Sequence, residues 1–335
     1  MTEYLEPTDR IITVFGGSGF VGRHVVRALA RDGWRVRVAT RRPDLAFHLQ
    51  PLGKVGQVHA VQANVRYPSS LQAALRGAEA AVNLVGILAP AGKNTFDAVQ
   101  AEGADAVARA VQAAGITNFV HVSAIGADAD SASAYARSKA AGEAAILSGV
   151  PKAKILRPSV VFGPEDQFFN RFASMARIMP VLPLIGGGET RLQPVYVGDV
   201  AETASRLLRG AGVFGVTYEL GGPSVRTMRE IMEFVLATTH RKRLLASLPF
   251  EIAGVLGSVT ETLNKLLLGL IPAEFAFTRD QVELLKHDNV VSDKTVAEGR
   301  TLAGLGLTAE SIEAIVPAYL YRFRKTGQFS DERAV

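Results

Sequence analysis

The chain has 335 residues, 48% hydrophobic and 21% charged, with a formal net charge of +5 at pH 7. This is the composition of a folded globular protein, and it excludes collagen-like, coiled-coil-array and low-complexity architectures. The absence of cysteine removes disulfides, thiolate nucleophiles and cysteine-ligated metals, and agrees with a reducing, cytoplasmic setting.

The first stretch, MTEYLEPTDR, carries acids where a secretory leader needs a basic flank and an apolar run, so export is not expected. No uninterrupted apolar segment reaches the roughly 20 residues that span a bilayer. Association with a membrane surface stays open. The six histidines are scattered, with no HExxH or i, i+4 pair, so no metal is expected.

Residues Ile11 to Phe15 (IITVF) form a β-branched apolar run that leads into GGSGFVG and then RHVVRALARDG. There Val25, Val26 and Leu29 recur at helical spacing and Gly33 can end the helix. Strand, glycine turn and helix follow one another. Further strands are expected at Arg35–Thr40, Val58–Ala63, Ala80–Gly86 and Asn118–Ala124, with helical segments between. Such alternation predicts an α/β fold of Rossmann type, a doubly wound parallel sheet.

Gly16, Gly19 and Gly22 then stand where one glycine makes a tight turn, one admits a pyrophosphate and one lets a helix pack closely. A dinucleotide site is expected. Many NAD-binding chains place an acid about 20 residues beyond such a turn. Here the second strand ends in Thr40, Arg41 and Arg42. An arginine fork suits a 2′-phosphate and favours NADPH over NAD(H), although the two arginines can equally be surface residues opening a helix.

Ser133 to Lys139 reads SAYARSK, and Tyr135 and Lys139 share one helix face. A lysine ammonium favours the phenolate of a nearby tyrosine, which could then exchange a proton with a carbonyl or hydroxyl group. The same ammonium can instead hold a ribose. Catalysis and cofactor retention are therefore both open readings of the pair.

These residues, with Ser123 at the end of the fifth strand and LRPSVVFGPED (Leu156 to Asp166), resemble the extended or atypical branch of the short-chain dehydrogenase/reductase superfamily. The resemblance implies a Ser123, Tyr135, Lys139 site. It also implies cofactor contacts from Gly16, Ser18, Gly19, Phe20, Val21, Gly22, Arg41, Arg42, Asn64, Val65, Leu84, Val85, Gly86, Ser123, Tyr135, Lys139, Pro158 and Val161. Two positions depart from the pattern: Gln100 stands where the superfamily often has a relay Asn, and Asn64 where it often has an adenine-binding Asp.

A narrower resemblance comes from SAIGADADSASAYARSKAAGE, RPSVVFGPEDQFFNRFA and QPVYVGDVA. These look like the NAD(P)H-binding accessory subunits of respiratory complex I and their bacterial relatives. That likeness implies a peripheral subunit on the cytoplasmic side of the inner (plasma) membrane, holding NADPH without turnover, with other complex I subunits and the membrane surface as partners. The reading kept beside it is a soluble NADPH-dependent reductase, dehydrogenase or epimerase acting on a small carbonyl or sugar-like substrate.

The second half predicts a helix over 167–179 (QFFNRFASMARIM), a Pro- and Gly-rich turn, and a return to the nucleotide domain at VYVGDVAETASRLLR. The expected division is a nucleotide domain over 10–160 plus 192–222 and a smaller discontinuous C-terminal lobe over 161–191 plus 223–330. Asp199 is expected to have a structural or capping role. Pro249 to Pro272 shows an apolar helical face that can pack on its own lobe or meet a membrane or partner. Two basic stretches, HRKR (His240–Arg243) and YLYRFRK (Tyr319–Lys325), can meet phosphate headgroups or an acidic surface, or simply face solvent. No motif that reads nucleic acid is present.

Overall fold

The computed structural model describes residues 8–266 and 278–325. The chain packs as two compact units. One comprises the described residues up to Pro158, Val197–Leu220 and Ser292–Thr308. The other comprises Ser159–Tyr196, Gly221–Val291 and the described residues from Ala309 onward. Ser292–Thr308, placed in the smaller lobe by the sequence reading, therefore stands with the nucleotide unit.

The first unit is built on a parallel sheet. Its strands are β1 (Ile11–Phe15), β2 (Arg35–Thr40), β3 (Val58–Gln62), β4 (Ala78–Asn83), β5 (Asn118–Val122), β6 (Lys154–Pro158) and a seventh, Thr217–Leu220. Their spatial order is seventh, β6, β5, β4, β1, β2, β3. The order in which successive strands are added reverses between β1 and β4, the switch point where such parallel sheets open a crevice beyond their strand ends. Register across that point pairs Val14 with both Val38 and Val82.

β1 is buried from Ile12 to Phe15, as expected of a strand covered on both faces and hence apolar without alternation. Helices α1 (Phe20–Arg31), α2 (Pro68–Leu75), α3 (Glu102–Ala113) and α4 (Ala134–Gly149) flank the sheet. α1 buries Val25, Val26 and Leu29 on one stripe. α4 is anchored to β6 by a two-pronged pair in which Arg157 donates to both Glu143 oxygens, at 2.8 and 2.7 Å. Segment Ser292–Thr308 joins the sheet edge through Glu219 N–H to Arg300 O, at 3.1 Å.

The second unit has its own core, with Phe162, Phe169, Leu182, Ile231, Val235 and Val316 fully buried. Helix Phe169–Ile178 lies in it, as do short parallel ladders joining Val161–Phe162 to Val195–Tyr196 and Val181–Ile185 to Leu244–Leu248. Asp166 ties this core together. Its carboxylate accepts N–H groups from Gly163, Phe168 and Asn170 and the Tyr319 hydroxyl at 2.6 Å.

The expected apolar helix appears as Phe250–Leu266. Ala253 is buried, whereas Ile252, Val255 and Leu256 of the expected apolar face are exposed. The rest of its expected apolar face, including Leu267, Leu268, Leu270 and Ile271, falls in residues 259–272, beyond those whose side chains are described. Among the described residues no helix is long and apolar enough to cross a membrane, and no group of three metal-ligating side chains occurs.

Candidate functional site

The turn between β1 and α1 opens the site. Gly16 has φ +76°, a left-handed conformation, and a Cβ there would stand 3.1 Å from the Leu84 and Val85 backbone. Gly22 has no such twist, but a Cβ would lie 2.4 Å from Gly16 O and 2.6 Å from Gly17 Cα. Gly16 thus bends the chain and Gly22 lets α1 seat directly on the turn. α1 begins at Gly19 with no side-chain cap and no acid in its first turn. Its leading N–H groups and the positive end of its dipole are left for an anion.

Beyond this turn lies a cleft of about 240 Å³ lined by Gly16, Ser18, Gly19, Arg41, Asn64 and Val85, with Val65, Leu84 and Gly86 on its walls. A larger concavity of about 590 Å³ takes in Ile11, Arg35 and Val58, the first residues of their strands. It sits at the wrong end of the sheet for the switch-point crevice, so size does not identify the site.

Ser18 Oγ and Thr40 Oγ1, 3.1 Å apart, join the glycine turn to the end of β2. The two arginines that follow behave differently. Arg42 is held by Asp44, its Nε 3.0 Å and Nη2 2.7 Å from the carboxylate oxygens, and it is not part of the cleft lining. Arg41 lines the cleft, and its guanidinium has no ion pair among the described residues. The sequence reading treated the two as one fork and did not single out Arg66, which also lines the cleft. Nothing in the spacing marked Arg66; it arrives because the chain turns at Asn64, whose Oδ1 accepts the Arg66 N–H at 3.1 Å. With that oxygen engaged, the Asn64 amide offers its NH₂ group.

At the other end of the cleft, α4 starts at Ser133, whose hydroxyl accepts the Ala136 N–H at 3.2 Å. This cap sets the helical phase that puts Tyr135 and Lys139 on one face, with Lys139 Nζ 5.9 Å from the Tyr135 ring centre. Phe96 meets the same ring edge-on at 5.7 Å. Lys139 is buried and donates to Val122 O at 3.4 Å, and a Cβ on Gly86 would lie 3.3 Å from its Nζ. Burial lowers its pKa to about 8, with Glu143 pulling the other way.

Ser123 stands at the end of β5, its N–H bonded to Leu156 O at 2.7 Å. Its hydroxyl is buried and has no hydrogen-bond partner among the described residues, which marks a place where a ligand atom can complete the bonding. Beneath it lies a buried pair the sequence reading missed. Asn83 Oδ1 accepts the Val85 N–H at 3.1 Å, so its NH₂ group faces His121 Nδ1, also at 3.1 Å. The ring proton then sits on Nε2, and burial and nearby Lys139 push the His121 pKa down to about 3. A polar residue within each of the apolar stretches AAVNLV and FVHV was the available signal.

Gln100 lies in a π-helical turn, Asp97–Ala101, ahead of α3, a distortion often found at functional sites. Its Nε2 donates to Ile87 O at 2.9 Å and its Oε1 accepts from Ser138 Oγ at 3.2 Å. The side chain bridges the loop after β4 to α4 and has no hydrogen bond to Lys139. Of the other expected contacts, Phe20 and Val21 open α1, Pro158 ends β6, and Val161 pairs with Val195 in the second unit.

The residues present fit a dinucleotide: a glycine turn at a helix N-terminus, an uncompensated arginine at the end of β2, and an unpartnered buried hydroxyl at the end of β5. The fold and this arrangement define a dinucleotide-binding protein of Rossmann type. The chain belongs to the NAD dependent epimerase/dehydratase family, whose profile matches residues 12–221, and a nicotinamide dinucleotide is that family's cofactor class.

Full-length relatives are similar over both units. An Arabidopsis thaliana protein named NADH dehydrogenase [ubiquinone] 1 alpha subcomplex subunit 9, mitochondrial, is 33% identical over 95% of this chain and 79% of its own length. A Caulobacter vibrioides ceramide reductase is 33% identical over 86% of this chain and 88% of its own. Among solved structures, an NADPH-dependent quinone oxidoreductase from Escherichia coli matches with a TM-score of 0.70 at 19% identity, over 92% of this chain and 99% of that one. The last likeness speaks for the fold alone.

Proposed function

We propose that this chain is a nucleotide-holding accessory subunit of a membrane-bound NADH:ubiquinone oxidoreductase, with NADPH retained rather than turned over. The observation that carries the reading is similarity, over 95% and 93% of this chain, to two proteins named as subunits of that enzyme. Within the site, the glycine turn and the α1 N-terminus receive the pyrophosphate, Arg41 the 2′-phosphate, the Asn64 amide the adenine edge, and Lys139 with Ser123 and Tyr135 the nicotinamide end.

A bound nicotinamide dinucleotide supplies hydride transfer. What the protein contributes here is grip: Lys139 is tied to Val122 O, and Gln100 is engaged in bridging Ile87 to Ser138. Both engagements support retention over turnover. Binding to the folded state alone stabilises the fold in proportion to the logarithm of nucleotide concentration over Kd.

The test is to isolate the oxidoreductase from its native membranes under mild detergent and identify nucleotide released on denaturation by mass. The expected result is this chain in the complex with stoichiometric NADPH. Its absence from the complex overturns the reading. A second reading, a reductase acting on a small carbonyl or sugar-like substrate, is favoured by the unpartnered Ser123 hydroxyl beside Tyr135 and Lys139 and by the ceramide reductase relative. It predicts turnover of a carbonyl panel by the purified chain, abolished by Tyr135→Phe.

A further inference from the structure

The two basic stretches lie about eighty residues apart in sequence, yet the second unit makes them one surface. Arg241 donates through Nε and Nη2 to Phe323 O at 2.9 and 2.7 Å, and Arg324 Nε donates to Thr238 O at 3.0 Å. Arg243 Nε bonds Ala176 O at 2.8 Å, at the C-terminal end of helix Phe169–Ile178, which brings in Arg177. The patch therefore gathers Arg177, Arg241, Lys242, Arg243, Arg324 and Lys325.

The arginines that are anchored are anchored by backbone carbonyls, which hold a guanidinium without cancelling its charge. Among the described residues none of the six forms an ion pair with a carboxylate, although arginine–carboxylate pairs recur elsewhere in the chain. The mutual repulsion is felt: burial first, then Arg243 and Arg177, lower the pKa of Arg241.

Apolar side chains interrupt this charge. Ile178 follows Arg177 and Leu244 follows Arg243, and they are 69% and 72% exposed. Leu244 pairs with Val181, itself exposed, at the open end of the parallel ladder. Large exposed aliphatics set directly beside unneutralised cations match a bilayer interface, where the aliphatics enter the acyl boundary and the cations meet anionic headgroups. An acidic protein surface would match the charge but would leave Ile178 and Leu244 needing their own apolar pocket.

We propose that this face of the second unit docks on an anionic lipid bilayer. The proposal deepens the peripheral placement in the functional reading and rests on it only in taking the chain to work at a membrane.

The test is flotation of the purified full chain with vesicles of phosphatidylcholine alone or with one-third phosphatidylglycerol. Arg177, Lys242 and Lys325 are exposed and make no side-chain hydrogen bond or ion pair among the described residues, so Arg177→Glu/Lys242→Glu/Lys325→Glu should keep the fold, as checked by the melting curve. The expected result is binding to the anionic vesicles only, weakened by 0.5 M salt and roughly a hundredfold by the triple reversal. Leu244→Asp should weaken it with the charges intact.

Equal binding to neutral vesicles, or no effect of the triple reversal, overturns the proposal. So does failure to float while the triple variant drops out of the purified oxidoreductase, which would make the patch a protein contact. Loss of vesicle binding leaves co-purification untouched, so the two readings fail separately.

Discussion

Gln100 and Ser138 are bonded at 3.2 Å, amide oxygen to hydroxyl, and the other end of the same amide holds Ile87 O at 2.9 Å. The residue at the expected relay position is thus a strut between the loop after β4 and the helix that carries Tyr135 and Lys139. Gln100→Leu would leave the half-buried Ile87 carbonyl without this donor, while the Ser138 hydroxyl keeps Tyr135 O at 2.8 Å, at a cost of about 0.5–1.5 kcal/mol. Denaturant unfolding should register that loss with an unchanged m-value. A variant as stable as the parent would mean the strut carries no weight.

If Lys139 holds the nucleotide as proposed, its retention should depend on pH. Its folded pKa, about 8, lies below the ordinary 10.5, so between those values the unfolded chain binds the extra proton and stability contributed by this group rises with pH. Below pH 8 the buried ammonium is a full burden on the empty fold. It is also the form that attracts an anionic ligand. NADPH affinity should therefore fall as pH climbs through 8, and Lys139→Met should flatten the profile; a flat profile in the parent chain would refute the assignment.

Arg41 and Arg42 should separate in a titration. Arg42 is already bonded to Asp44, whereas Arg41 lines the cleft. A charged hydrogen bond to phosphate is worth about 1.5–3 kcal/mol. Arg41→Ala should thus weaken NADPH by about 10- to 100-fold while barely touching NADH, and Arg42→Ala should do little to either. Fluorescence titration with both nucleotides decides it, and equal loss for NADH would remove Arg41 from the 2′-phosphate.

Ser123→Ala removes a buried hydroxyl that has no partner. In the nucleotide-free chain the change should be neutral or stabilising, since an unsatisfied group is costly to bury. With NADPH present the order should reverse, and the shift of melting temperature on adding nucleotide should shrink. Equal shifts in parent and variant would show that the hydroxyl does not meet the ligand.

Much of the fold was legible because β-branched runs and glycine punctuation are local signals. Ile11–Phe15 and Arg35–Thr40 coincide with their expected strands, and the helix expected over 167–179 forms at Phe169–Ile178. The site was legible only where chemistry is written in one short stretch, as in GGSGFVG or SAYARSK. The Asn83–His121 pair and the merging of two basic segments depend on strand adjacency and chain crossing, which no local window contains. Likewise Arg41 and Arg42 look alike until Asp44 folds back onto one of them.

The segment Ser292–Thr308 sets an order of assembly. The nucleotide sheet receives its seventh strand, Thr217–Leu220, after Ser159–Tyr196 of the other unit has been made, and its edge partner Arg300 later still. During synthesis, where domains otherwise fold in sequence as they emerge, this sheet cannot be completed until its seventh strand has been made, and the edge bond to Arg300 forms later still. A truncation after Val291 would accordingly strip Ser292–Thr308 from the nucleotide unit and not merely shorten its neighbour.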